Sequence, residues 1–365
     1  MDSEAMNPLE GFPKSPAASV DPRGYPPSWV DRLDDWLDAL PGPTWRIYAV
    51  FALLLVLINA VIKWADGAYP PGTFHPFHVV VMISGVWYMG LIHYLDRAAG
   101  VAMDRFRPVL DGPARRLARL EYCLTTMPAR NTLVVTVLGI LLGIWVLAAS
   151  MQGVALSPAA LAFTSPVSIW FEGAVCIFLN TAFVLFVYHT IHQLRTVNRI
   201  YTTSTRIDLF NLTPLYAFSL LSALTAGGGL LLMYAWVATE PDLADDKISL
   251  AAALTTGVVA LLTFLWPLLG IHRMLATEKI QAHTEVGKRI KLCFDELHRR
   301  MDKNFPAEVD TPIKVMAALQ QEQAYLDKLP TWPWQPETVR GLATAVLLPI
   351  ALWIITRVLE RIVVF

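Results

Sequence analysis

Apolar residues in this chain come in long runs rather than in alternation. Six runs approach or exceed the roughly 20 residues a helix needs to cross about 30 Å of hydrocarbon. They cover approximately 45 to 64, 76 to 95, 131 to 151, 168 to 191, 213 to 238 and 250 to 273. A seventh, Gly341 to Thr356, is shorter and is interrupted at Arg357, although LERIVVF continues the pattern to residue 365. The expected fold is all-α: a polytopic transmembrane helix bundle of six spans and a seventh that either crosses or inserts halfway with a kink at Pro349.

Between the runs the pattern changes period. Residues 1 to 27 carry too little apolar content to fold and read as a disordered leader. Ser28 to Leu40 then sets Trp29, Leu33, Trp36 and Leu40 on one face and Asp31, Arg32, Asp34, Asp35 and Asp38 on the other, with Ser28 and Asp31 spaced as a capping box. Residues 28 to 41 are thus expected to form an amphipathic interfacial helix, followed by a six-span bundle over 45 to 273. A basic helix, Pro113 to Thr126, opposes Arg115, Arg116 and Arg119 to Leu117, Leu120 and Leu124. Beyond the sixth run, Val286, Ile290, Cys293 and Leu297 recur at helical spacing, and a second amphipathic stretch covers Ile313 to Leu329. Since the chain must return to the bilayer, residues 274 to 330 read as an antiparallel cytoplasmic hairpin. Residues 331 to 365 read as a Trp/Pro anchor and the seventh helix. Trp29, Trp36, Trp45, Trp332 and Trp334 fall where indole rings anchor at headgroup depth.

Composition sharpens the class. Charged residues are 16% of the chain, hydrophobic residues 55%, and mean hydropathy is +0.46, whereas a soluble domain carries about 25% charged residues. A net charge of −1 provides no basic field for nucleic acid, and three cysteines provide no disulfide framework. The first run follows a 43-residue stretch with eight prolines, so it reads as a retained anchor and not a cleaved signal. Of 29 Lys and Arg, 25 fall in the leader and even-numbered loops, while Lys63 and Lys247 fall at the other ends. By the positive-inside rule the N-terminus is cytoplasmic and the membrane is the inner (plasma) membrane.

Polar groups within hydrocarbon are costly, which makes each a functional candidate. Glu172 lies one turn inside the outer end of the fourth run. It reads either as a cation or proton site with His75 and His78 as neighbours, or as a carboxylate that reaches the interface. His93, His189, His192 and His272 fall near the cytoplasmic ends of runs two, four and six, and could ligate haem or a metal; the alternative is an interfacial or helix-terminus role. In the fifth run Gly227, Gly228 and Gly229 could unwind as a hinge, and Ser222 and Thr225 could line a polar pathway or bond between helices. Gly139 and Gly143 form a GxxxG packing motif. No lysine lies in a span centre, and H-E-x-x-H, G-x-S-x-G, P-loop and T-V-G-Y-G motifs are missing, which removes the usual signatures of retinal proteins, hydrolases, nucleotide enzymes and potassium channels.

Three stretches, SWVDRLDDWLDALPGPTW, YHTIHQLRTVNRIYTTSTRIDLFNLTPLYAFS and LPTWPWQPETVRGLATAVLLPIALW, resemble ones found together in large bacterial membrane proteins without an assigned activity. The resemblance implies a membrane location and transfers no functional residue. The expectation is a non-enzymatic sensor or scaffold without a cofactor, whose partners are the lipid bilayer and either further copies of itself or a cytoplasmic protein, and not nucleic acid. An oligomeric channel or small-solute transporter using runs five and six is the alternative, and a haem or metal protein the second.

Overall fold

The computed structural model describes residues 24 to 152, 164 to 204, 212 to 239, 247 to 302, 310 to 332, 340, 341 and 344. Among these the protein is all-helical: α1 (Trp29–Ala39), α2 (Thr44–Ala65), α3 (Pro76–Phe106), α4 (Ala114–Thr125), α5 (Ala129–Met151), α6 (Pro166–Ser204), α7 (Ala217–Thr239), α8 (Lys247–Asp302) and α9 (Asp310–Lys328). Among the described residues five segments are long and apolar enough to cross a membrane: Thr44–Ala65, Pro76–Val109, Ala129–Met151, Pro166–Thr203 and Ala217–Trp236. These carry the first five apolar runs. The sixth run is helical as part of the N-terminal half of α8, while the seventh, apart from residues 341 and 344, and Trp334 lie outside the described residues.

Local chemistry sets the helix boundaries. Ser28 accepts from the Asp31 amide and the Asp31 carboxylate accepts from the Ser28 amide, which closes the capping box of α1. Gly42, at φ 105°, turns the chain out of α1 in a conformation that a side chain resists, and Pro43 then precedes α2. Pro76 opens α3, Pro128 precedes α5 and Pro166 opens α6, positions where a missing amide hydrogen costs nothing. α7 is helical through Gly227, Gly228 and Gly229. Trp87 donates to the Gly228 carbonyl at 3.0 Å.

α3 is the most buried of the five spans and packs against α2, α6 and α7. Its lower half enters the main core, where Phe106, Tyr201 and Phe218 pack with ring centroids 5.0 to 5.5 Å apart. α2 and α5 lie outermost and expose Leu53, Val61, Leu138, Leu141 and Trp145. Such apolar outer faces suit contact with lipid. α9 packs against the second half of α8 through Val286, Leu319 and Leu326, with Ile290 and Cys293 alongside.

The α5–α6 contact depends on the absence of side chains. A Cβ on Gly139 would lie 2.7 Å from the Thr181 Cα, and one on Gly143 would lie 2.6 Å from the Ile177 Cα. Backbones this close give van der Waals packing that hydrocarbon cannot supply by a hydrophobic drive. Gly143→Ala is therefore expected to destabilise the protein by about 1–3 kcal/mol. Gly100→Ala, where nothing lies within 4 Å of the added carbon, should be neutral or stabilising. Thermal unfolding in detergent measures both; equal behaviour of the two variants would refute the close-packing account.

Candidate functional site

Two polar centres are built into the bundle, one toward each end. At the first, α2 contributes Lys63 and α6 contributes Ser168 and Glu172, which are four apart and share a helix face. The Lys63 ammonium lies 2.5 Å from a Glu172 carboxylate oxygen, with side chains 0% and 3% exposed. Lys63 donates to the Ser168 hydroxyl at 3.1 Å, and that hydroxyl donates to the same carboxylate at 3.0 Å. Neither charge could be held so deep without the other, because desolvation costs several kcal/mol per ion. The positive-inside count treats Lys63 as a loop cation; in the structure it belongs to the last turn of α2, inside the protein.

His75 and His78, the expected neighbours of Glu172, assemble with Tyr69. The Tyr69 hydroxyl lies 2.9 Å from His78 Nδ1, and its ring stacks on His75 at 6.0 Å. With Asn59 they line a cavity of about 10 Å³, room for one water. The ion-pair partner of Glu172 is Lys63, not either histidine.

The second centre gathers α1 against α2 and α3, and joins α3 to α6. His93 of α3 places Nε2 3.0 Å from Asp38 and Nδ1 3.3 Å from Asp34, and Tyr48 of α2 donates to Asp34 at 3.4 Å. Arg97 pairs with Asp38 and donates to Thr44 at 3.1 Å. One turn away from His93, Asp96 accepts from His189 of α6 at 2.8 Å, with the histidine side chain 2% exposed. His192 donates to the Cys123 carbonyl at 2.9 Å. His272 meets the Thr331 carbonyl at 2.9 Å and stacks on Trp332 at 4.0 Å. Each of the four inner histidines thus has a partner of its own, and among the described residues no group of three or more His, Cys, Asp or Glu is arranged to hold a metal ion.

The segment before α1 completes this centre. Tyr25 donates to the Thr126 carbonyl at 2.7 Å, Tyr122 donates to the Tyr25 carbonyl at 2.9 Å, and Pro27 bridges Pro128. Trp29 donates to Thr136 at 2.9 Å, and Asp31 accepts from the Met127 amide at 3.2 Å. Val30 and Leu37 are buried beneath. The helix therefore turns Val30 and Leu37 to the bundle and its carboxylates to His93, Arg97, Tyr48 and Met127. Trp36 and Trp45 stay exposed beside it.

In α7, Ser222 and Thr225 are buried and donate to the Phe218 and Leu221 carbonyls of their own helix, at 3.0 and 2.9 Å. Sequence reading missed Lys63, Asp96 and the Asp34–His93–Asp38 clasp. The available signals were a lysine inside an apolar run and the SxxxE spacing of Ser168 and Glu172. Nothing in the sequence pairs α1 with α3. No family model, curated protein or solved structure matches the chain.

Two outcomes follow from these charges. Lys63→Met should cost about 3–5 kcal/mol by stranding Glu172, while Lys63→Met with Glu172→Leu should recover most of it. Thermal unfolding of both variants decides, and a double variant no better than the single one would show that pairing is not the cause. Separately, burial pushes the Asp31 carboxyl up to about 6, against the opposing hydrogen bonds from Ser28 and Met127. A carboxyl whose folded value is raised favours folding most below its unfolded value, and that contribution falls away as pH rises through about 6. Wild type should accordingly lose stability relative to Asp31→Asn between pH 4 and about 6 and hold a constant difference above, as read from melting curves of the two proteins across that range.

Proposed function

We propose that this is an inner-membrane protein with a cytoplasmic N-terminus that catalyses no reaction and acts as a sensor or scaffold through the helices outside its bundle. The five apolar spans support membrane insertion. The segregation of Lys and Arg toward the α1 and α4 end supports its orientation.

One observation carries the scaffold reading. The α8–α9 pair buries only the seam of Val286, Leu319 and Leu326, and leaves large apolar side chains uncovered beside it. Ile280 is 66%, Leu292 67% and Tyr325 49% exposed, with Phe294, Ile313 and Val315 also exposed. Val315 and Tyr325 flank the Leu319 and Leu326 stripe on α9, and Ile280 and Phe294 flank the Val286 stripe on α8. A two-helix layer with apolar margins is a docking surface waiting for a third element. α1 has its carboxylates and buried face engaged on its own chain, so the binding of further copies or a cytoplasmic protein is assigned to α8 and α9.

Ile280→Ser combined with Tyr325→Ser is expected to move the protein from larger complexes to the single-chain position on native gels of gently solubilised membranes, at unchanged expression and melting temperature. Complexes that survive the double variant, or a wild type that already runs alone, would defeat the reading.

A further inference from the structure

Between α2, α3 and α7 runs a groove of about 760 Å³, within the range of about 300–1,000 Å³ typical of ligand sites. Its walls are apolar, formed by residues such as Ala52, Val86, Leu221, Leu224 and Leu231. Its chemistry is not uniform along its length. The deep part, level with Ile83 and Leu231, is apolar except for the Trp87 indole, whose N–H is spent on Gly228. The other end carries His93, Tyr94, Arg97 and Arg105, and among the described residues no carboxylate lines the groove.

Length and charge together select an occupant. From Arg97 to Ile83 the groove follows α3 for fourteen residues, or about 21 Å at 1.5 Å per residue. One leaflet contributes about half of the roughly 30 Å of hydrocarbon. A single acyl chain lying along the wall therefore places its headgroup at the arginines. Arg97, Val101 and Arg105 are successive i, i+4 positions on one stripe, so both guanidinium groups overhang the same opening. Arg97 is half spent on Asp38, but its side chain is 46% exposed and retains donors. Arg105 is exposed, and no ion pair holds it among the described residues. Guanidinium groups bind phosphate oxygens bidentately, and Tyr94 and Trp45 supply ring faces at the same depth.

We infer that this groove is a binding site for one anionic phospholipid, its phosphate held by Arg97 and Arg105 and one acyl chain laid between α2, α3 and α7. The inference requires only that these helices span a membrane and is independent of what docks on α8 and α9.

Native mass spectrometry of the full chain in detergent tests it, with dioleoyl phosphatidylglycerol and dioleoyl phosphatidylethanolamine as probes. One phosphatidylglycerol per chain should be retained, about tenfold or more over phosphatidylethanolamine. Arg105→Gln should lower that retention about fivefold, the effect of one basic residue toward an anionic lipid. Ala52→Trp should fill the groove and abolish retention of both lipids, and an unchanged melting temperature in the two variants shows that neither acts by unfolding. Inorganic phosphate in excess should not displace the lipid. Equal retention of the two headgroups, wild-type retention in both variants, displacement by free phosphate, or a lipid-free dimer as the main species would each overturn the assignment.

Discussion

A bilayer offers no water to a polar group, and among the described residues Lys63, Glu172, Asp96 and His189 are each arranged around a protein partner. Lys63 and Glu172 show the constraint at its strictest. Each alone would be a buried charge with nothing to balance it; together with Ser168 they form a closed unit that pins the end of α2 to the start of α6. Asp96 and His189 do the same between α3 and α6 at the other end. These pairs contribute less to net stability than to register, since a helix that slid by one residue would rotate its charge out of reach.

Between the two polar ends, apolar packing and small residues do the rest. Gly139 and Gly143 bring α5 onto α6 so closely that one methyl group would collide with backbone. Ser222 and Thr225 turn their hydroxyls to their own carbonyls and so present a nearly apolar surface to their neighbours. The bundle thus separates two tasks: polar pairs at the ends choose which helices meet, and glycine and alkyl contacts decide how closely.

Much of this was readable before the structure, though unevenly. Runs of about 20 apolar residues declare helices in any context, because length against bilayer thickness is a geometric argument that needs no partner. The capping box of α1 is equally local. Partnerships are different, since periodicity says which face of a helix is apolar and nothing about what faces it. His93, His189, His192 and His272 could be placed at one end of the molecule from sequence, yet each turns to a different helix or carbonyl, and no spacing rule would have sorted them. Lys63 was misjudged because a residue near the end of a span is conventionally scored with the loop. Its burial arises from Glu172, more than a hundred residues away.

The docked segment around α1 has a consequence for how the protein is made. Its contacts are to Thr126, Met127 and Thr136, separated from Tyr25, Asp31 and Trp29 by 101, 96 and 107 residues. A ribosome adding about 5–20 residues per second needs roughly 5–20 s to deliver those partners after α1 has emerged. During that interval Val30 and Leu37 have no bundle to receive them, and a segment of 11 residues holds a helix poorly without one. The first span must be threaded into the membrane while its neighbour waits at the surface, and the clasp of Asp34, His93 and Asp38 can close only after the second span has also been delivered. Assembly around α1 is in this sense retroactive: the helix is translated well before the residues that hold it, and it finds its place only once the start of α5 has been delivered.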